Sequence, residues 1–249
     1  MYHVFTKLSV WLGFSLALGG CVVSHVPFNP AENQHIRSIV VVSIPTPPAA
    51  TIRNFGSPMA LVGGGIGAFA AMNVSASENK DPFQQLLVQQ GFDFGKEMQE
   101  AIAGRLRKMG YAVRLVQMAR ENPYRLLGEY EKVPAAGADA ILDCANGTYF
   151  GYSNVTMIDR KFRPHIHVYV RLVDAKTKKV LYEDEILYGY TNPFMTAAEL
   201  SAPDKYFYDS DEAVLADGRK TVEGLRVGIA QVADHIAVQL RGGTQAELK

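Results

Sequence analysis

The sequence predicts a mixed α/β domain with helices packed on one mixed sheet. Three observations carry that expectation: a short β-branched run at residues 39–42, an amphipathic helical repeat over 91–109 that leads into another apolar strand, and a period-two segment at 166–172 followed by a polar turn and a return strand. Ile39, Val40, Val41 and Val42 read as a buried strand, ended by Pro45, Pro47 and Pro48, which cannot donate to a ladder. In the next element Phe94, Met98, Ala101, Ile102, Arg105, Leu106 and Met109 recur every three or four residues, the spacing of one helix face. Gly110 supplies a left-handed cap, and a strand follows over 111–116. A shorter helix is expected after Pro123, over 124–132, with Pro134 ending it, and a central strand over 140–145. In the period-two strand, Ile166, Val168, Val170 and Leu172 take the core face, while His165, His167, Tyr169 and Arg171 take a face expected to be wet. Residues 174–178 turn the chain into the partner strand 180–188. An aromatic and acidic loop over 191–211 precedes a last helix with Val222, Leu225, Ile229, Val232, Ile236 and Leu240 on one face, stopped by Gly242 and Gly243. The strand-helix-strand step between residues 39 and 116 implies parallel pairing, and the later hairpin antiparallel pairing.

The chain has 249 residues, 48% of them apolar, and 25 basic residues balance 25 acidic ones, so nothing in its charge points to nucleic acid as a partner. Its two cysteines cannot form a disulfide scaffold. At the amino terminus Lys7 precedes an apolar run of 11 residues, 8–18, which is too short to span a bilayer and has the form of an export signal. Leu18-Gly19-Gly20-Cys21 then resembles the lipobox of bacterial lipoproteins. That resemblance implies cleavage between Gly20 and Cys21, acylation of Cys21 as the lipid attachment residue, and a mature chain that hangs from a membrane outside the cytoplasm. Removing 20 of 249 residues leaves 229, with 24 basic residues against 25 acidic ones because Lys7 is lost. Val22, rather than Asp, follows the cysteine, which by enteric sorting rules directs the protein to the outer membrane, with the domain expected to face the periplasm. Cys144, in an apolar stretch, reads as a small buried hydrophobe.

The expected organisation is a signal peptide over 1–20, a tether over 21–36, a single α/β domain over 37–241 with a Gly/Ala-rich insertion at about 46–90, and a tail over 242–249. The stretch VYVRLVDAKTKKVLY at 168–182, with LRKMGYAVR at 106–114, GADAIL at 137–142 and the lipobox, resembles a group of envelope proteins. The group comprises the curli-secretion lipoproteins, the lipoprotein activators of penicillin-binding proteins and the amino-terminal domain of the Tol-system propeller protein. The likeness covers residues 36–241 apart from 46–90, and it departs at Lys178, where glycine is usual. It implies a non-catalytic module for assembly or protein contact.

Residues 65–70 match the G-x-G-x-x-A of dinucleotide-binding turns, but Pro58 stands where a strand should precede them, and no acidic residue follows on a second strand. No cofactor is expected. Between residues 56 and 77 there is no charge, and the 14-residue apolar centre, 59–72, would be about 21 Å long as a helix, against roughly 30 Å for a bilayer core. Gly63, Gly67 and Ala71 lie four apart and would form a smooth strip. Three uses are open for it: a packing segment or loop of the domain, a surface that associates with other copies, or a membrane-inserting element. His165 and His167 fall on one side of a strand but lack a third ligand at a recognisable spacing, so no metal is expected. Asp234 and His235 are adjacent in a helix and do not face each other. The run Glu183-Asp184-Glu185 reads as a solvated strand edge. Tyr206, Phe207 and Tyr208 either form an interface or fold back over the sheet.

The leading expectation is a lipid-anchored outer-membrane lipoprotein, not an enzyme, that binds an envelope protein partner. A homo-oligomeric secretion or pore-like component built on residues 56–77 is the alternative, and an envelope enzyme using His165 and His167 is a third reading.

Overall fold

The computed structural model describes residues 25–46, 50–54, 82–154, 160–190 and 197–242. Cys21, Gly20, Gly63, Gly67, Ala71 and the whole of 56–77 lie outside the described residues. The elements are β1 (Ser38–Val42), β2 (Thr51–Asn54), α1 (Pro82–Gln89), α2 (Phe94–Lys108), β3 (Ala112–Val116), β4 (Ala140–Asn154), β5 (Arg163–Asp174), β6 (Val180–Tyr188), β7 (Ala198–Leu200), a 3-10 turn at Asp204–Tyr206, α3 (Asp211–Ala216) and α4 (Gly218–Gln239). This is the mixed α/β class read from the sequence. The strand order is β3-β1-β4-β5-β6-β7. β1 is parallel to both β3 and β4, as the strand-helix-strand step implies, whereas β4, β5 and β6 form an antiparallel meander. The long β4 carries β1 along its first residues and β2 along its last, both parallel to it.

α2 starts where the Asp93 carboxylate accepts the Lys96 N–H at 3.1 Å, and Thr46 Oγ1 donates to the same carboxylate at 2.7 Å. A side chain at Gly95 would meet the Ile44 carbonyl 2.2 Å away, so the first turn of α2 rests directly on the chain leaving β1. Phe94, Met98, Ile102 and Leu106 are fully enclosed, as are Val222, Leu225, Val232 and Ile236 on α4. Each such side chain contributes about 1.5–3 kcal/mol by leaving water. α4 lies close over the sheet because Gly224 faces the Tyr152 hydroxyl and Gly228 the Tyr188 ring, where a Cβ would come within 2.5 Å of either. Two ion pairs tie α2 to α4: Arg226 grips Glu97 with both contacts at 2.9 Å, and Arg105 grips Asp234.

Four sequence expectations need correction. The helix over 124–132 does not form, and turns replace it. Pro123 and Gly128 weaken a helix there, and the Leu127 N–H and Tyr130 hydroxyl donate instead to the Asp143 carboxylate, at 2.7 and 3.1 Å. Within the presumed tether, Val26 exchanges two backbone hydrogen bonds with Glu183, both 2.9 Å, and Phe28 and Ile36 are buried, so the fold takes hold at residue 25. Within the presumed insertion, β2 pairs with β4, and α1 buries Phe83, Leu86 and Leu87 in the main core. Last, the second face of the sheet is not wet. At one end it is covered by Tyr130, Val133 and Ala135, packed on Val40, Val42, Ile141 and Val173, and along β5 and β6 His165, His167 and Glu183 are buried while Tyr169, Arg171 and Glu185 are partly so.

Candidate functional site

The polar groups that a function could use are concentrated on three adjacent strands. Register places Asp143 of β4 opposite Arg171 of β5, and Arg171 opposite Glu183 of β6, a row of alternating charge on the second face. Arg171 grips Glu183 at 2.7 and 3.0 Å, and Arg120 closes the other end of the row on Asp143 at 2.5 Å while also donating to the Ser43 carbonyl. Arg120, Asp143 and Glu183 side chains are all within 5% of fully buried. Burial, reinforced by the neighbouring Asp143 charge, drives the Tyr130 hydroxyl far above its usual range, so it stays a donor.

Farther along the same face stand the two histidines read as exposed. His167 is 3% exposed and its Nε2 lies 2.6 Å from Glu185 Oε1. Its ring sits on Gly147, where any side chain would collide at 2.2 Å. His165 is 4% exposed; its Nδ1 is 3.0 Å from Ser153 Oγ and its ring packs against Tyr190, centroids 4.2 Å apart. Burial first, then the positive fields of His167 and Arg53, hold His165 well below the usual histidine range, so it is neutral. Glu185, the acid that β6 brings to this face, is engaged by His167. Among the described residues no three of His, Cys, Asp and Glu gather to hold a metal ion.

On the helix side of the sheet, Asp184 is a second hub. Its carboxylate takes the Tyr182 hydroxyl at 3.2 Å, His235 Nε2 at 3.2 Å, His25 Nδ1 at 3.3 Å and the Glu185 N–H at 2.9 Å. Burial is the largest influence on its pKa and acts upward, but the bonds and charges of His235, the Glu185 N–H and His25 outweigh it and hold the carboxyl below its usual range. Asp234 and His235 diverge as helical neighbours should, the former to Arg105 and the latter to Asp184. The run Glu183-Asp184-Glu185 is thus a buried pairing segment and not a solvated edge. Desolvation raises the Cys144 thiol far above its usual range, as a buried hydrophobe requires.

Tyr206 and Tyr208 fold inward. Tyr206 donates to Glu223 at 2.6 Å, Tyr208 exchanges two backbone bonds with Phe162, and both rings are buried against α4. Phe207 is partly exposed beneath the Arg163 guanidinium, 4.5 Å from its ring centre. The sequence reading missed Arg120, Asp143 and the Arg171–Glu183 pair. Counting outward from the hairpin turn would have paired Arg171 with Glu183, whereas Arg120 and Asp143 are 23 residues apart with no pattern linking them.

No protein-family model matches the chain. No curated protein matches it either. Among solved structures it is similar to a Xanthomonas campestris protein of the DUF330 family (11% identity, 92% of this chain and 98% of that one, TM-score 0.42). It is also similar to PelC from Paraburkholderia phytofirmans, a dodecamer (16% identity, 64% and 73%, TM-score 0.29), and to the lipoprotein GNA1162 from Neisseria meningitidis (16% identity, 63% and 88%, TM-score 0.20).

Proposed function

We propose that this chain is a lipid-anchored outer-membrane lipoprotein whose α/β domain is a non-catalytic, protein-binding module in envelope assembly or maintenance. The observation that carries the reading is Leu18-Gly19-Gly20-Cys21 directly after an apolar export segment. The backbone pairing of Val26, five residues after the cysteine, supports it, since it keeps the domain beside its anchor. The closed pairing of Asp143, Arg171, Glu183, Glu185 and Asp184 favours a scaffold over an enzyme, because each of these charges already has a protein partner. Cys21→Ser tests the anchor: the variant is expected in the soluble periplasmic fraction or as uncleaved precursor, and its continued fractionation with the outer membrane would contradict the reading. Capture of an envelope protein by crosslinking in intact cells tests the binding role. The alternative, a homo-oligomer built on the smooth strip within 56–77, predicts a large detergent-extracted particle, and a monomer would remove it.

A further inference from the structure

The sheet has two edges, and among the described residues the chain covers one of them. The outer side of β6 is met by β7 from Ile186 to Tyr188 and by Val26 at Glu183. β3, at the other end of the strand order, has β1 on its inner side and, among the described residues, no strand beyond it. The Ala112 N–H donates to the Arg37 carbonyl at 2.9 Å and the Ser43 N–H to the Val116 carbonyl at 2.8 Å, so residues 112, 114 and 116 turn their main chain toward β1. Val113 and Leu115 therefore turn theirs outward. Arg107 donates to the Val113 carbonyl at 3.3 Å, which leaves the Val113 N–H and both main-chain groups of Leu115 open, among the described residues, to a further strand. Val113 packs on the main core and Val116 on the second one, which puts Leu115 on the α2 side of the sheet and Arg114 on the other. Leu115 is 37% exposed, an unusual position for a large apolar side chain in this domain. The edge is also cationic. Residues 101–120 hold five basic side chains and no acidic one. Arg105 and Arg120 are engaged by Asp234 and Asp143. Arg107 and Arg114 donate instead to main-chain carbonyls, those of Val113 and Ala136, which leave their charge in place, and Lys108 beside Arg107 is exposed.

We propose that the outer edge of β3 is a docking site to which an extended acidic segment of a partner protein adds as a strand. The proposal rests on the protein-binding reading above and names its surface. Charge excludes a second copy of this chain as the occupant. Because Val113 and Leu115 carry the outward groups, two antiparallel copies of β3 would pair 113 with 115 and set Arg114 directly against Arg114, like charges about 5 Å apart. A foreign strand in the same register places one side chain opposite Arg114 and the two flanking ones on the side of Val113 and Leu115. The pattern that fits is apolar, acidic, apolar. Main-chain hydrogen bonds then supply the adhesion, and the alternating side chains supply the selectivity.

The test is fluorescence anisotropy of a labelled peptide of alternating valine and glutamate, titrated with the protein extracted in detergent. This peptide is expected to bind. A valine–lysine counterpart, and a peptide of the same composition with its glutamates clustered at one end, are expected to stay free. Leu115→Pro removes an outward N–H and spares the bonds to β1, since proline is tolerated on an edge strand where the N–H faces solvent. It is expected to weaken the valine–glutamate peptide about tenfold or more. Arg114→Glu is expected to weaken the same peptide about tenfold and to admit the valine–lysine one. A damaged fold would not gain a ligand, so this exchange decides the matter even if Leu115→Pro lowers the thermal midpoint. Equal binding of all three peptides, or affinities indifferent to both substitutions, would overturn the proposal. Crosslinking in intact cells separates it from the reading it rests on: capture of an envelope protein that both substitutions leave unchanged removes the edge and keeps the binding role, and peptide binding without any captured protein keeps the edge and removes the role.

Discussion

The two faces of β5 are chemically opposite: one is closed throughout, and the other buries His165 and His167 while leaving Tyr169 and Arg171 partly exposed. Ile166, Val168, Val170 and Leu172 point under α2 and α4 and are no more than 1% exposed, while His165, His167 and Arg171 point to the other side and are engaged by Ser153, Glu185 and Glu183. On the first face water is excluded by apolar contact, and shape sets the stability. On the second it is excluded although the side chains are polar, and stability depends on each charge keeping its partner. Alternation along a strand therefore distinguishes two chemistries here without distinguishing inside from outside.

The sharpest way to break that comparison is to orphan one charge. Asp143→Ala leaves the Arg120 guanidinium buried beside no carboxylate, and the expected loss is about 3–5 kcal/mol, read from denaturant unfolding. Replacing both partners, Arg120→Met with Asp143→Leu, is expected to cost clearly less than Asp143→Ala alone, since no unpaired charge remains. On the apolar face the matching change is Leu225→Ala, which removes volume and leaves every charge paired, with an expected loss of about 2–5 kcal/mol set by the cavity it opens. A compensating second deletion is not expected to rescue it.

The faces should also separate by pH. His165 on the polar face is held neutral, with its pKa well below the unfolded value of about 6.5. Below that pH the unfolded chain binds a proton that the folded chain refuses, so stability falls as pH drops from about 7. Asp184 on the helix side has a lowered pKa, so its contribution is complete above the unfolded carboxyl value of about 3.9 and is lost only as pH falls through the lower folded value. Thermal melts of His165→Gln are expected to flatten the slope between pH 5 and 7 while leaving the acid limb intact; an unchanged slope would contradict the assignment. The smallest effect lies at the turn, where Lys178 holds a φ of 60°. Lys178→Gly is expected to raise stability by about 1 kcal/mol, measured as a higher denaturation midpoint, because a side chain in the left-handed region carries a penalty that glycine avoids.

What could be read from sequence follows the range of the forces involved. α2, α4 and the β5–β6 hairpin were legible because their signals are local: apolar spacing, a cap at Gly110 and a turn at Asp174. The departure at Lys178 was legible too, since glycine is usual where φ is positive. The helix expected over 124–132 failed because Leu127 and Tyr130 answer to Asp143, a partner that local pattern does not show. His165 and His167 were placed on the correct side of the strand, but their burial depends on contacts with distant Ser153 and with Gly147, which leaves room for the His167 ring. The pinning of Val26 to Glu183 was invisible for the same reason, being a contact across 157 positions.

The anchoring reading is tested most directly by the intact mass of the protein extracted in detergent from envelopes. The account predicts a chain of 229 residues beginning at Cys21 and carrying the added mass of diacylglycerol and, in the triacylated form, one further acyl chain. A mass equal to all 249 residues, or to a chain cleaved elsewhere and free of lipid, would contradict it.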